Sequence, residues 1–246
     1  MRNLLCRMSY NGTAYHGFQR QKNAVTIEET VENALDLLTG EKNVIYGCGR
    51  TDARVHGINY YFNFKTDSSI PVEKFPLALN SKLPDDISVS MCREVPDDFN
   101  ARFSAIKKTY RYLIYNDRIR NPFYDKRAMF FPRELDVEKM REAADKIKGT
   151  KDFAAFMAQG SPITDTVRSV YSIEIEKKDN IIQIDVCGNG FLYNMVRIIV
   201  GTIIDTATGK IKISELDERI ASKKRENTGF TAVPDGLYLY DVYYDI

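Results

Sequence analysis

The 246-residue chain has no tryptophan, only two histidines (His16 and His56) and only four cysteines. Cys6, Cys48, Cys92 and Cys187 stand 42, 44 and 95 positions apart with no C-x-x-C among them, which is not a zinc pattern. They read as four reduced, mostly buried thiols of a cytoplasmic protein. No stretch approaches the roughly 18 consecutive apolar residues of a membrane span. The N-terminal MRNLLCRMSYNG breaks after two leucines instead of forming a signal-peptide core, so a cytoplasmic chain with no membrane partner is expected. Charge of one sign is also lacking overall: 35 Lys+Arg against 34 Asp+Glu leave a formal +1, and any polyanionic partner has to be argued from local charge. Neither G-x-G-x-x-G nor G-x-x-x-x-G-K-[ST] occurs, which removes the familiar dinucleotide and nucleotide-phosphate loops.

What is present is a globular composition, 43% hydrophobic and 28% charged, long enough for one large domain or two ordinary ones. Periodicity predicts a strand over 3–10 and a helix over 27–38, whose Ile27, Val31, Ala34, Leu35 and Leu38 share a face. Thr26 with Glu29 supplies a capping box and Gly40 a stop. Strands over 43–46 and 59–64, a proline-started helix over 71–83 and a strand over 87–95 follow. A second set comprises a strand over 109–115, a helix over 137–148, strands over 167–176 and 181–187, helices over 193–207 and 214–222, and a strand over 237–244. Each set reads β-α-β-β-α-β, with one extra helix in the second. The expected class is α+β: two tandem ferredoxin-like units, antiparallel sheets with helices on one face, and an active-site cleft between the halves. The halves are expected at 1–104 and 105–246.

The near-zero total hides a basic band. Residues 99–133 carry nine Lys+Arg against two Asp+Glu, interleaved with nine aromatic residues. That mixture follows a phosphate backbone and stacks unpaired bases, although a strand whose aromatics fill a core has the same composition.

The densest polar cluster is Gly47-Cys48-Gly49-Arg50-Thr51-Asp52-Ala53-Arg54-Val55-His56-Gly57, bracketed by glycines between two strands. Neighbouring guanidinium charge favours an ionised Asp52, as a nucleophile or base requires; an aspartate capping its own turn is the structural alternative. The loop resembles the catalytic motif G-[AC]-G-R-T-D-x-G-V-H of the tRNA pseudouridine synthase A family. Further matches run in order along the whole chain: Tyr10-Asn11-Gly12-Thr13 through Gly17-Phe18-Gln19-Arg20-Gln21, then Asn100-Ala101-Arg102-Phe103-Ser104-Ala105 with Lys108-Thr109-Tyr110-Arg111-Tyr112. Asp152-Phe153, Gly190-Phe191-Leu192-Tyr193-Asn194-Met195-Val196-Arg197 and Gly236-Leu237-Tyr238-Leu239 complete the series.

The resemblance implies a pseudouridine synthase, an intramolecular isomerase that converts uridine to pseudouridine in RNA, with tRNA the favoured substrate and a homodimer the usual state. It implies Asp52 as nucleophile, Arg197 as the partner of its carboxylate and Tyr110 as the ring that stacks on the target base. Arg20, Arg50, Arg54, Lys107, Lys108 and Arg111 are the candidate RNA-binding cations. No cofactor or metal is expected, because the reaction breaks the N1–C1′ bond, turns the uracil and rejoins it through C5. Alternatives are the same chemistry on ribosomal RNA by a divergent paralogue, a non-catalytic RNA-binding protein, and a hydrolase that releases uracil.

The chain departs from the family pattern at five places. Arg54 stands where the motif has glycine, and a positive φ there would strain its backbone unless the loop differs. Phe18 replaces the usual Trp, Asn11 the usual Asp and Asn194 the usual His, and Pro234 sits one place later than the family's proline.

Overall fold

Leu4, Leu5 and Cys6 are consecutive and all fully buried, so the first strand is covered on both faces and lies inside a sheet, not at its edge. The computed structural model describes all 246 residues. Its elements in chain order are β1 (Arg2–Tyr10), α1 (Ile27–Thr39), β2 (Ile45–Gly47), β3 (His56–Thr66), α2 (Phe75–Asn80) and β4 (Ile87–Val95). There follow β5 (Lys107–Asn116), β6 (Met129–Phe131), α3 (Val137–Ile147), β7 (Gly149–Asp152), β8 (Val167–Lys178), β9 (Ile181–Gly188), α4 (Met195–Ala207), α5 (Leu216–Ala221) and β10 (Leu237–Tyr243).

The α1 helix starts and stops where its sequence says. The Thr26 hydroxyl accepts the Glu29 backbone N–H at 3.4 Å, and Gly40 closes the helix in the left-handed region at φ 75°. The reciprocal half of the capping box is not made, because the Glu29 carboxylate takes the Arg20 guanidinium instead. Ile27, Val31, Ala34 and Leu35 form the buried stripe.

The chain divides into two units, Met1–Ile106 with Tyr238–Ile246, and Lys107–Leu237. The last strand therefore belongs with the first unit, whereas the sequence reading grouped it with 105–246. In the first unit β1 lies between β4 and β3, antiparallel to both. β2 pairs antiparallel with one end of β3 (Ile45 opposite Phe64), and β10 pairs parallel with the other end (Tyr238 opposite His56). In the second unit β9 lies between β5 and β8, β7 adds to β8, and the short β6 pairs parallel with β5. Both units are mixed α+β with mainly antiparallel sheets, as expected. The α4 helix is buried on nearly every side, Arg197 being its one half-buried exception between Met195 and Thr206. No helix is long and apolar enough to cross a membrane.

One expectation is overturned. Cys6 and Cys92 occupy directly opposed positions of β1 and β4, with Cα atoms 4.1 Å apart, and form a disulfide; only Cys48 and Cys187 are free thiols. Eighty-six residues separate the partners, and only strand register reveals them.

A buried polar pair fixes the end of the first unit. Asn63 of β3 is 1% exposed; its amide donates to Asn3 Oδ1 at 2.9 Å and to the Phe99 carbonyl at 3.2 Å, and its Oδ1 accepts the Ala101 N–H at 2.8 Å. Asn3 in turn donates to the Pro96 and Phe99 carbonyls. The segment leaving β4 is thus tied to the sheet by side chains, not by strand pairing. Asn63→Leu leaves several of these groups buried without partners and is expected to cost about 2 kcal/mol or more, seen as a lower urea midpoint; a midpoint equal to wild type would show that water replaces the pair.

Candidate active site

The loop carrying Asp52 is shaped by the turn that follows β1. Phe18 N–H donates to the Thr51 carbonyl at 3.1 Å, and Arg54 N–H donates to the Tyr15 carbonyl at 3.1 Å. The Gly12 N–H donates to His56 Nδ1 at 3.1 Å, and the Tyr10 and Thr51 hydroxyls share a hydrogen bond of 2.9 Å. Two glycines permit the approach: a Cβ on Gly12 would lie 1.9 Å from the Val55 carbonyl oxygen, and one on Gly17, itself at φ 95°, would lie 2.6 Å from that of Thr51. Two backbones therefore run against each other with no side chain between them.

Within this clasp the Asp52 carbonyl accepts the Val55 N–H at 3.2 Å, closing a four-residue turn. Arg54 is its third residue and adopts φ 68°, the left-handed conformation for which the family motif supplies glycine. The strain expected of Arg54 at a positive φ is present. Thr51, Val55 and His56 are buried, Asp52 is half-buried, and Arg50 and Arg54 are exposed. His56 stacks on Tyr238 of β10, ring centroids 4.6 Å apart, so its imidazole serves as a buried support and Nδ1 is an acceptor.

The remaining predicted residues fall into separate surroundings. Arg20 in the first unit is taken up by carboxylates: its guanidinium binds Glu32 at 2.7 Å and Glu29 at 3.1 Å, and its backbone N–H binds Glu28 at 2.6 Å. In the second unit Lys107 and Lys108 are half-buried at the start of β5. Tyr110 is 9% exposed and meets Phe191 edge-on, centroids 5.2 Å apart. Arg111 leaves the opposite face of the strand from Tyr110 and forks onto Asp185 of β9 with contacts of 2.8 and 2.7 Å. Arg197, near the start of α4, is oriented by two hydrogen bonds, from Nε to the Ala232 carbonyl at 2.6 Å and from Nη1 to Asn194 Oδ1 at 2.7 Å. Asn194, which replaces the family's histidine, thus both adopts the left-handed residue before the helix (φ 59°) and holds the arginine. Nowhere are three or more His, Cys, Asp or Glu side chains gathered as metal ligands.

Sequence reading missed one feature. A cavity of about 160 Å³ beside the loop is lined by Phe18, Glu28, Tyr46, Arg50, Arg102 and Phe103 among others. Its residues come from four segments, and only the exposure of so large an aromatic as Phe103, 79%, marks it.

The glycine-clasped loop thus holds one half-buried aspartate with an exposed arginine two residues to either side, and comparison with known proteins gives the class of the chain. A family model described as tRNA pseudouridine synthase matches residues 7–104 and 143–245. Over 244 residues the chain is 47% identical to tRNA pseudouridine synthase A of Thermoanaerobacter sp. (strain X514), covering 99% of this chain and 100% of that protein. It is 46% identical to the protein of the same name from Acetivibrio thermocellus, with the same coverage. To that of Bacillus subtilis (strain 168) it is 42% identical, over 98% of this chain and 99% of the other. Among solved structures, a crystal structure of a Cbf5-Nop10-Gar1 complex is similar at a TM-score of 0.38 and 11% identity over 84% of this chain; the chain spans about half of that one (54%), and so distant a likeness has no bearing on the site. The chain belongs to the tRNA pseudouridine synthase family, enzymes that isomerise uridine.

Arg54→Gly relieves a left-handed non-glycine residue, and against the added entropy of glycine a net gain of up to about 1 kcal/mol is expected. Calorimetric melting should show a higher midpoint than wild type; an unchanged or lower one would mean that the Arg54 side chain contributes as much as its backbone costs.

Proposed function

We propose that this enzyme acts on tRNA, at uridines of the anticodon stem-loop, as a cytoplasmic homodimer. The observation that carries the reading is the clasped loop. It presents a half-buried carboxylate between two exposed guanidinium groups, in a chain whose relatives named tRNA pseudouridine synthase A align from end to end.

On this reading Asp52 is the nucleophile or base at the target nucleotide. The N1–C1′ bond breaks, the uracil turns, C5 bonds to C1′, the C5 proton passes to solvent and N1 takes up a proton in its place; atoms and electrons balance without a co-reactant. Arg197 is a positioning residue that holds the Asp52 carboxylate ionised, for which its two hydrogen bonds to the Ala232 carbonyl and Asn194 prepare it. Tyr110 stacks on the target base. Flipping that base out of a stem costs a few kcal/mol, and stacking returns about 1–3 kcal/mol of it. Arg50, Arg54, Lys107 and Lys108 contact phosphate. Arg20 and Arg111, engaged by Glu29, Glu32 and Asp185, are left out of the interface that the sequence suggested.

The test uses RNA tritiated at uracil C5, which loses its label to water on isomerisation. Wild type is expected to release tritium from a tRNA pool. Asp52→Asn should release none while binding RNA within a few-fold, and sedimentation should give twice the chain mass. Release from a ribosomal RNA pool alone would move the substrate. Bound RNA without release would favour a non-catalytic binder, free uracil a hydrolase, and an active Asp52→Asn variant would remove Asp52 from the mechanism.

A further inference from the structure

We propose that the cavity beside the Asp52 loop is a second nucleobase subsite, which takes an unpaired nucleotide of the RNA other than the target uridine. In it the base stacks on Phe103 and the phosphate rests on Arg50 and Arg102. This rests on the reading of the chain as an RNA-modifying enzyme.

Three observations carry it. The cavity is walled by aromatics that the fold leaves in the open: Phe103 is 79% and Tyr46 47% exposed, while Phe18, 3% exposed and stacked on Tyr60 at 4.6 Å, belongs to the core beneath. Its cations, Arg50 and Arg102, are exposed, and the Arg102 guanidinium lies over the Phe103 ring at 5.3 Å. Aromatic faces with arginines at their margin make a platform for single-stranded nucleic acid, since every base has a face to stack and every nucleotide a phosphate.

The third observation is rigidity. Phe103 sits in a loop fixed by its own hydrogen bonds: Asn100 Oδ1 accepts the Arg102 and Phe103 N–H groups at 2.9 and 3.3 Å, and Ser104 N–H donates to the Asn100 carbonyl at 2.9 Å. The Ala101 carbonyl accepts the Tyr244 hydroxyl at 2.7 Å, and the Asn63 pair anchors the segment from below. A large apolar ring held out in water by this much structure is arranged to meet something. Glu28 completes the lining; burial raises its carboxyl above the usual range although Arg20 donates to it. It accepts from a base edge when ionised and adds a donor when protonated.

The experiment places 2-aminopurine, one position at a time, at the unpaired nucleotides of an anticodon stem-loop RNA and follows its fluorescence in complex with the full chain. Wild type and Phe103→Tyr should quench one position apart from the target, and Phe103→Leu should not. In the tritium assay Phe103→Leu should raise KM about tenfold, the loss falling on KM and not on kcat, and Phe103→Tyr should restore it. Melting midpoints should be unchanged, as the ring is exposed. Quenching that persists in Phe103→Leu, quenching at no position, or a Phe103→Leu variant that changes oligomeric state instead of RNA affinity would overturn the subsite. RNA that is quenched at this position but never converted would count against the proposed activity and leave the subsite standing.

Discussion

The first unit is organised around the approach of two backbones that have no side chain between them. Gly12 and Gly17 let the turn after β1 lie against the segment 51–56, and four hydrogen bonds close the contact. The setting of Asp52 follows from it: the half-burial of the residue, the exposure of Arg50 and Arg54 beside it, and the left-handed turn. A loop of this composition in water would sample many conformations, and the clasp selects one by satisfying backbone groups that its own residues leave unpaired. A reacting group gains much of its effectiveness from such prior placement.

Charge is organised by the same principle of local commitment. The chain is nearly neutral, yet its cations are not equivalent. Arg111 and Arg20 are consumed by Asp185, Glu29 and Glu32, and Arg197 is braced by a carbonyl and an amide oxygen. A forked, part-buried pair such as Arg111 with Asp185 joins neighbouring strands and has little left to offer a phosphate. The exposed Arg50, Arg54 and Arg102 keep their charge facing solvent, where an approaching polyanion meets it first.

Much of this was legible in the sequence where the signal is local. Thr26 and Gly40 mark α1 to within a residue, the alternation over 87–95 gives β4 at its true ends, and the glycines around Asp52 announce a loop of unusual backbone. What sequence could not give depends on partners distant along the chain. The three-residue β6 and four-residue β7 are too short for periodicity and exist because β5 and β8 offer them an edge. The Cys6–Cys92 disulfide needs the β1–β4 register, and the commitment of Arg111 needs Asp185, seventy-four residues on. The cavity at Phe103 is invisible because four separate segments build it.

The membership of β10 in the first unit carries a consequence for how the chain is made. A ribosome delivers residues 1–106 first, with β3 still lacking its parallel neighbour at His56 and Gly57, and the ring that stacks on His56 is supplied by Tyr238 only after the whole second unit has been synthesised. Folding in the order of synthesis therefore leaves the wall behind the Asp52 loop open until β10 emerges. A chain cut short before Tyr238 contains every residue proposed for chemistry and lacks the strand that pairs with β3 at His56 and the ring that stacks on it.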